Sequence, residues 1–452
     1  MDADLKIDFD VIPLAVREVM SRLEENSFRA YLVGGVVRDT IQGRQPRDYD
    51  IATSAAPDMV CGLFPSSVPT GLKHGTVTVI HGGLSIETTT LRREGKYSDS
   101  RHPDSVEYTS SLKEDLSRRD FTINSLAADG EGRVYDFFGG LIDMKNGLIR
   151  AVGQPGKRFR EDALRMIRAV RFSCQLGFEI EFKTLDSIRL NSRLIARVST
   201  ERIREELIDI LLSPQPGKGM ELLFKGGLLE FILPELDEVA WVDGVAGKKG
   251  LFTQTMDMLE KSPARLNVRL AGLLRGVAQP EISAGRVVKS RNIRRRMGML
   301  EPAEEILGRL KFDRRTIRSV AALVRECAAS HPSGDKDTKK LVARLGEENL
   351  EDLFDLWRAG WMAAVIPGEE DAVNTLEKQA QAILSQKLPI KVTDLAVDGN
   401  DLKCLGIKPG REMGATLHRL LEVVMDKPGM NLKPLLLELV QLWKSKTEGQ
   451  GD

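Results

Sequence analysis

Cysteine is scarce in this chain: four in 452 residues, Cys61, Cys174, Cys327 and Cys404, widely scattered. So placed, they build neither a metal knuckle nor a disulfide framework. Net charge is lacking too, with 66 Lys and Arg against 66 Asp and Glu. That balance argues against a nonspecific nucleic-acid coat and leaves only local patches open. No run of 18 apolar residues occurs, and the opening MDADLKIDFD is acidic where a signal peptide is basic. A cytoplasmic protein with no membrane partner and no obligate protein partner is expected. With 29% charged and 42% apolar residues the chain is globular, and its length predicts three or four units.

The most informative stretch is residues 31–50, YLVGGVVRDTIQGRQPRDYD. An apolar run ends at Gly34-Gly35, a short helix follows, and a polar loop leads to Asp48-Tyr49-Asp50. If Asp48 to Ile51 is a strand, its period of two puts both carboxylates on one face and Tyr49 on the other. Two carboxylates on one face repel unless a cation lies between them, and Mg²⁺ is the oxygen-seeking cation that works through substrate phosphates. Gly34-Gly35 ahead of a helix offers backbone N–H groups to a phosphate. Together the two halves point to nucleotidyl transfer.

Around this stretch the chain reads as a compact α/β unit. Pro13 to Glu25 is an amphipathic helix burying Val16, Val19, Met20 and Leu23, with Ile12 on the same side. Pro57 to Phe64 is a second short helix, 70–79 a loop feeding a strand, and 84–91 a strand bearing Glu87 as a third carboxylate. Arg92 to Glu107 is polar and reads as a loop. In 112–127, Arg118 and Arg119 can clamp phosphates, while Asp120 and Asn124 can hold ribose hydroxyls. The alternative for this cluster is an ion-paired helix start.

The motifs GGxVRD at 34–39, DYD at 48–50, TGLKHGTVTV at 70–79, RRDFTIN at 118–124, YDFFGGLIDM at 135–144, RFREDALRMIRAVRF at 158–172 and ERIREE at 201–206 follow in that order. The sequence resembles bacterial class II tRNA nucleotidyltransferases, the CCA-adding enzymes, in the DNA polymerase β-like superfamily that also holds bacterial poly(A) polymerases. The resemblance implies an α+β fold: a catalytic head of mixed sheet and helices, then an all-helical neck, body and tail. The expected limits are 1–150, 151–215, 216–330 and 331–452. It implies two Mg²⁺ ions on Asp48 and Asp50, Glu87 in support, and Gly34, Gly35, Arg38, Arg118, Arg119, Asp120 and Asn124 around the nucleotide. CTP and ATP are the implied nucleotides, the tRNA 3′ end the implied acceptor.

Base choice is implied to sit near Phe159, where Asp162 and Arg165 are three apart and share a helix face. Cytosine and adenine both present an amino donor beside a ring-nitrogen acceptor, which an Asp and an Arg can read together. Glu161, Arg168, Glu201, Arg202 and Glu205 are expected as supports, and an intrahelical bridge from Glu161 or Asp162 to Arg165 is compatible with that reading. Lys73 and His74 receive no chemical role. Many relatives carry a His-Asp phosphohydrolase signature where this chain has Leu273 to Pro280, and no histidine lies between 103 and 330. No such hydrolase activity is expected.

Between Arg286 and Arg325 stand twelve Lys or Arg, among them Arg294, Arg295 and Arg296, against four acids. In a chain of zero net charge that excess predicts a phosphate-facing RNA surface, and the shortage of aromatics favours reading duplex shape. Helices are expected around 338–362 and 366–386, and Gly406 to Gly410 precede another whose first amides could receive a phosphate. The rival functions are an enzyme adding only A or only CC, a poly(A) polymerase, and a noncatalytic RNA-binding protein.

Overall fold

The computed structural model describes residues 5–72, 75–95, 106–246, 250–278, 302–328, 331–364, 369–386 and 388–448. They form two compact units, Met1–Trp241 and Val242–Asp452. The expected head and neck therefore belong to one unit.

The first unit opens with α1 (Leu14–Glu25), β1 (Ala30–Val33), α2 (Gly35–Ile41), β2 (Tyr49–Thr53) and α3 (Pro57–Leu63). Then come β3 (Ser67–Gly71), β4 (Thr76–His81), β5 (Leu84–Thr90), β6 (Arg92–Glu94), β7 (Val106–Tyr108) and α4 (Leu112–Ser117). β8 (Leu126–Ala128) and β9 (Val134–Asp136) complete a seven-stranded sheet in the order β3-β4-β5-β2-β1-β8-β9. Only β2 and β5 run parallel; the remaining neighbours are antiparallel.

Alternation decides the two faces. Val77, Val79, Ile86, Tyr49 and Ile51 point into one core with Val16, Val19, Met20 and Leu23 of α1, and Ile12 joins them as expected. Each such side chain contributes about 1.5–3 kcal/mol of burial. A smaller cluster of Val33, Ala52, Leu91, Leu112, Leu116 and Ala127 lies apart from that core. Asp50, Glu87 and Thr78 are paired across β2, β5 and β4 and face away from the large core.

Two local expectations change. Residues 70–79 contain part of an additional strand, β3, which tolerates Pro69 because it is an edge. The expected loop 92–107 begins and ends as a β-ribbon, β6 on β7, with Arg93 bridged to Glu107. Residues 96–105 lie outside the described residues.

The unit continues with α5 (Gly140–Lys145), β10 (Leu148–Ile149), α6 (Pro155–Glu161), α7 (Leu164–Leu176), β11 (Glu179–Ile180), α8 (Phe182–Asn191) and α9 (Thr200–Leu211). One short parallel pairing, β10 on β11, interrupts the otherwise helical neck. The single helix expected to start near Phe159 and to carry both Asp162 and Arg165 is broken. Asp162 caps α6 in extended conformation, φ −142° and ψ 108°, and its carboxylate accepts the Leu164 N–H at 3.0 Å. Asp162 and Arg165 therefore do not share one helix.

The second unit is entirely helical among its described residues. Helix Leu266–Ala278 packs on Leu251–Lys261, Arg314–Ala328 and Glu347–Ala364, with Leu273 and Leu274 buried. The described part of the stretch matching the His-Asp signature, Leu273 to Ala278, thus lies in a packing helix. The helix expected over 338–362 is two, Asp335–Leu345 and Glu347–Ala364, parted at Gly346 with φ +79°. The last segment gathers Leu402, Leu420, Val424, Leu436 and Val440 into its own core. No described helix is long and apolar enough to cross a membrane.

Candidate active site

Asp48 lies one residue ahead of β2 and is exposed; Asp50 lies inside the strand and is partly covered. Tyr49 between them is buried in the large core, which is the division of faces that a period of two demands. The β2–β5 register pairs Asp50 with Glu87, so the third carboxylate is its direct neighbour on that face. Burial first, then Glu87 and Asp48, push the Asp50 carboxyl up to about 6, against the opposing pull of Arg119. Such crowding of acids is relieved by a hard cation. Among the described residues no three His, Cys, Asp or Glu side chains already form a ligand cage. A cation held by Asp48 and Asp50 would complete its shell from phosphate oxygens and water, which suits Mg²⁺.

Among the described residues, Arg119 is the cation whose charge acts on Asp50. A Cβ on Gly34 would lie 3.0 Å from its Nη1, so the guanidinium rests on the bare glycine. Gly34 also adopts φ +79° and ψ −130°. Its N–H donates to the Leu126 carbonyl at 3.1 Å, so its role here is space, and the expected phosphate contact from that amide is not available. Asp115, buried, holds the arginines: Arg118 donates at 2.8 Å and Arg119 stands at 3.6 Å. Burial would raise the Asp115 carboxyl, but these arginines hold it below its usual value. The Arg92 N–H at the root of the ribbon donates to the same carboxylate at 3.2 Å. Arg119 Nε is buried without a hydrogen-bond partner among the described groups.

Asp120 and Asn124, expected at the ribose, are buried and bonded to the protein's own groups. Asp120 accepts from the Phe121 N–H (2.8 Å), Asn124 Nδ2 (3.2 Å), and Arg168 Nε (2.9 Å) and Nη2 (2.7 Å). A carboxylate offers about four acceptor positions, so these donors fill it. Burial would raise its carboxyl; Arg168, Arg165 and Asn124 hold it down to about 2. Asn124 Oδ1 accepts from Arg38 Nη1 at 2.5 Å, and Arg38, nearly buried, also binds Asp39. Arg168 continues to Glu206 at 3.6 Å, which takes Arg171 Nε at 2.7 Å. The ring of Phe172 lies beneath Arg38, Arg168 and Arg171, at 5.4, 5.3 and 4.3 Å from centroid to guanidinium carbon. These residues tie α2 and the turn Thr122–Asn124 to α7 and α9.

Asp162 and Arg165 are each held from behind. Arg202 Nη2 donates to Asp162 at 2.8 Å. Arg165 donates to Glu161 at 2.9 Å and to the Arg118 carbonyl at 2.9 Å. Glu201 is half-buried on α9. Glu205 points outward, with its nearest cation, Arg204, 3.9 Å away. The inward acid on α9 is Glu206, which sequence reasoning missed. The stripe Ile203, Leu207 and Ile210 is buried, and helical spacing places residue 206 on it and 205 off it. Lys73, His74, Arg294, Arg295 and Arg296 lie outside the described residues.

A mixed sheet with paired aspartates at the start of one strand, a third acid beside them and an arginine over a glycine turn defines a nucleotidyltransferase. Residues 30–150 match the family described as Poly A polymerase head domain, and 295–440 match a tRNA nucleotidyltransferase domain 2 family. The chain is 38% identical over 409 residues to the CCA-adding enzyme of Lactobacillus helveticus, covering 90% of this chain and 92% of that one. It is 38% identical over 428 residues to that of Limosilactobacillus reuteri, covering 94% and 95%. The crystal structure of the Bacillus stearothermophilus CCA-adding enzyme in complex with CTP superposes with TM-score 0.73 at 29% identity, covering 96% of this chain and 98% of that one. The Thermotoga maritima enzyme complexed with tRNA, at 21% identity and TM-score 0.60, shares the fold. The chain belongs to the CCA-adding enzyme family, whose chemistry implies a divalent metal.

Proposed function

We propose that this protein adds CCA to the 3′ end of tRNA from CTP and ATP, releasing pyrophosphate at each step, with two Mg²⁺ ions held through Asp48 and Asp50. The observation that carries the reading is the row Asp50–Glu87 with Arg119 beside it. When bound, the ions lower the pKa of the attacking hydroxyl and neutralise the triphosphate. The RNA 3′ oxygen forms a bond to the α-phosphorus, the bond to the bridging oxygen breaks, and the hydroxyl proton leaves to solvent. Arg119, poised over Gly34 with a buried Nε that has no partner among the described residues, binds the triphosphate, and Arg118 stands next to it. Glu87 supports the attacking side of the carboxylate pair. Asp120, Asn124, Arg38 and Arg168 position the head against the neck, since their donors and acceptors already serve one another.

Asp162 and Arg165 select the base. Each keeps hydrogen-bonding capacity beyond its own support: Asp162 as acceptor for the amino group, Arg165 as donor to the ring nitrogen. Arg202 and Glu161 fix the pair, and G or U would strand buried groups at about 1–3 kcal/mol each. The four-part organisation, with nucleotide selection in 151–215 and tRNA binding in the later helices, belongs to the same proposal.

The test supplies Mg²⁺, CTP and ATP to tRNA ending at the discriminator base, in C, or in CC. Completion of CCA followed by arrest supports the reading. Extension of the CC end alone marks an A-adding enzyme, and unlimited A addition a poly(A) polymerase; either replaces it. Asp50→Ala should abolish addition while tRNA binding persists.

A further inference from the structure

The threonines of the TGLKHGTVTV motif have no part in the chemistry so far. Their alternation separates two jobs. Val77 and Val79 are fully buried in the large core, while Thr76 and Thr78 face the other way. Register makes the second job specific: Asp50 pairs with Glu87, and Glu87 pairs with Thr78. Paired residues share a face, so carboxylates and hydroxyl form one row across β2, β5 and β4. Thr78 Oγ1 lies 2.9 Å from Thr70 Oγ1 on the edge strand, and Thr76 Oγ1 lies 3.1 Å from Thr89 Oγ1. In each pair one proton is shared, and the second hydroxyl proton and remaining lone pairs are left to serve a ligand. Thr70 is exposed and Thr78 partly so.

Order across the sheet then gives direction. Arg119 stands over Gly34, at the end of β1, on one side of the aspartates. The threonines stand on the other side, beyond Glu87. In-line transfer requires the leaving pyrophosphate and the attacking hydroxyl on opposite sides of the phosphorus. The arginine side suits the triphosphate, so the RNA end approaches over β5, β4 and β3. We propose that Thr78 and Thr70, braced by the Thr76–Thr89 pair, seat the ribose-phosphate of the RNA's 3′-terminal nucleotide.

Hydroxyls suit that task better than cations. They donate to phosphate oxygens and accept from a 2′-hydroxyl without competing with Arg119 for the carboxylates. Their weak neutral hydrogen bonds also release the end so that it can shift after each addition. The inference rests on the nucleotidyltransferase reading above and deepens it.

The test compares Thr78→Val, Thr70→Val and the double variant with wild type in A addition to tRNA ending in CC. Valine keeps the shape and removes the hydroxyl. Removing one such hydrogen bond should raise the KM for tRNA by about tenfold, leaving the KM for ATP unchanged. Thr78→Ser should restore the wild-type value. An unchanged tRNA KM in the double variant overturns the proposal, as does a rise confined to the KM for ATP. Should Thr78→Val melt early, Thr70→Val on the exposed edge strand decides the matter under the same criteria. Wild-type protein that adds nothing to tRNA would instead overturn the nucleotidyltransferase reading itself.

Discussion

At Gly34 the backbone takes φ +79° and ψ −130°, and a methyl group there would meet Arg119 Nη1 at 3.0 Å. Gly34→Ala therefore combines backbone strain of about 1–3 kcal/mol with displacement of the guanidinium from the aspartates. It should lower the melting temperature and cut nucleotide incorporation, raising the KM for both CTP and ATP. Gly35→Ala is the control: its nearest neighbour would be Arg38 at 3.5 Å, an ordinary contact inside a helix that alanine favours. Activity and stability there should be retained, and equal damage at both positions would defeat the steric account. Asp120 supplies a pH test. Its carboxyl is held at about 2 against a usual 3.8, with burial opposing and Arg168 prevailing. A depressed value means stabilisation that is full above pH 4 and lost as pH falls towards 2, about 2 kcal/mol in size. Denaturant unfolding of Asp120→Asn should show that deficit at pH 7 and a closing gap below pH 4. A gap that is constant with pH would mean the ion pair to Arg168 is not its source.

Elements explain which parts of this site are legible in the sequence. The strand carrying Asp50 and the helix α1 announce themselves by period, because Tyr49 and Val16 must be buried for either to form. What periodicity does not encode is where a helix stops for reasons of side-chain capping. Asp162 ends α6 by turning its carboxylate onto the Leu164 N–H and receiving Arg202, forty residues later in the chain. Nor does local sequence reveal that Asp120 pairs with Arg168, since Asp120 looks like a ribose ligand and Arg168 like a support for the base-reading pair until tertiary contacts join them. Glu206 is legible by its apolar stripe, whereas motif spacing alone favours its neighbour Glu205. The ribbon gives a prediction at this scale. Its first residue, Arg92, bonds to Asp115, which also anchors Arg118 and Arg119. A change in the ribbon can thus reach Arg118 and Arg119 directly, and under the proposed base reading, in which C and A both satisfy Asp162 and Arg165, the switch from C to A needs such a lever. Replacing 96–105 by a two-residue turn, with Arg92–Glu94 and Val106–Tyr108 kept, should spare CC addition and stop the final A. Normal completion of CCA by the shortened protein would remove the ribbon from the switch.

Over the whole molecule, Lys and Arg balance Asp and Glu at 66 each, so affinity for a polyanion has to come from local concentration. The first unit spends many of its arginines internally: Arg38, Arg158, Arg165, Arg168, Arg171 and Arg202 all pair with carboxylates. The second unit presents Arg314, Arg315 and Arg318 exposed on one helix, Arg314–Ala328, at a spacing that gathers Arg314 and Arg318 on one face. That helix keeps Val320, Ala321 and Val324 buried, so its basic residues can be neutralised without touching its core. Changing Arg314, Arg315 and Arg318 to Gln should weaken tRNA binding while kcat at saturating tRNA is kept. For every phosphate that no longer meets a cation, the slope of log Kd against log salt should flatten by about 0.7–0.9. The same measurement on Arg294, Arg295 and Arg296 extends the test to residues 286–301. Binding titrations across a salt series check both, and a slope that stays at its wild-type value in either triple variant would show that those arginines do not meet phosphate.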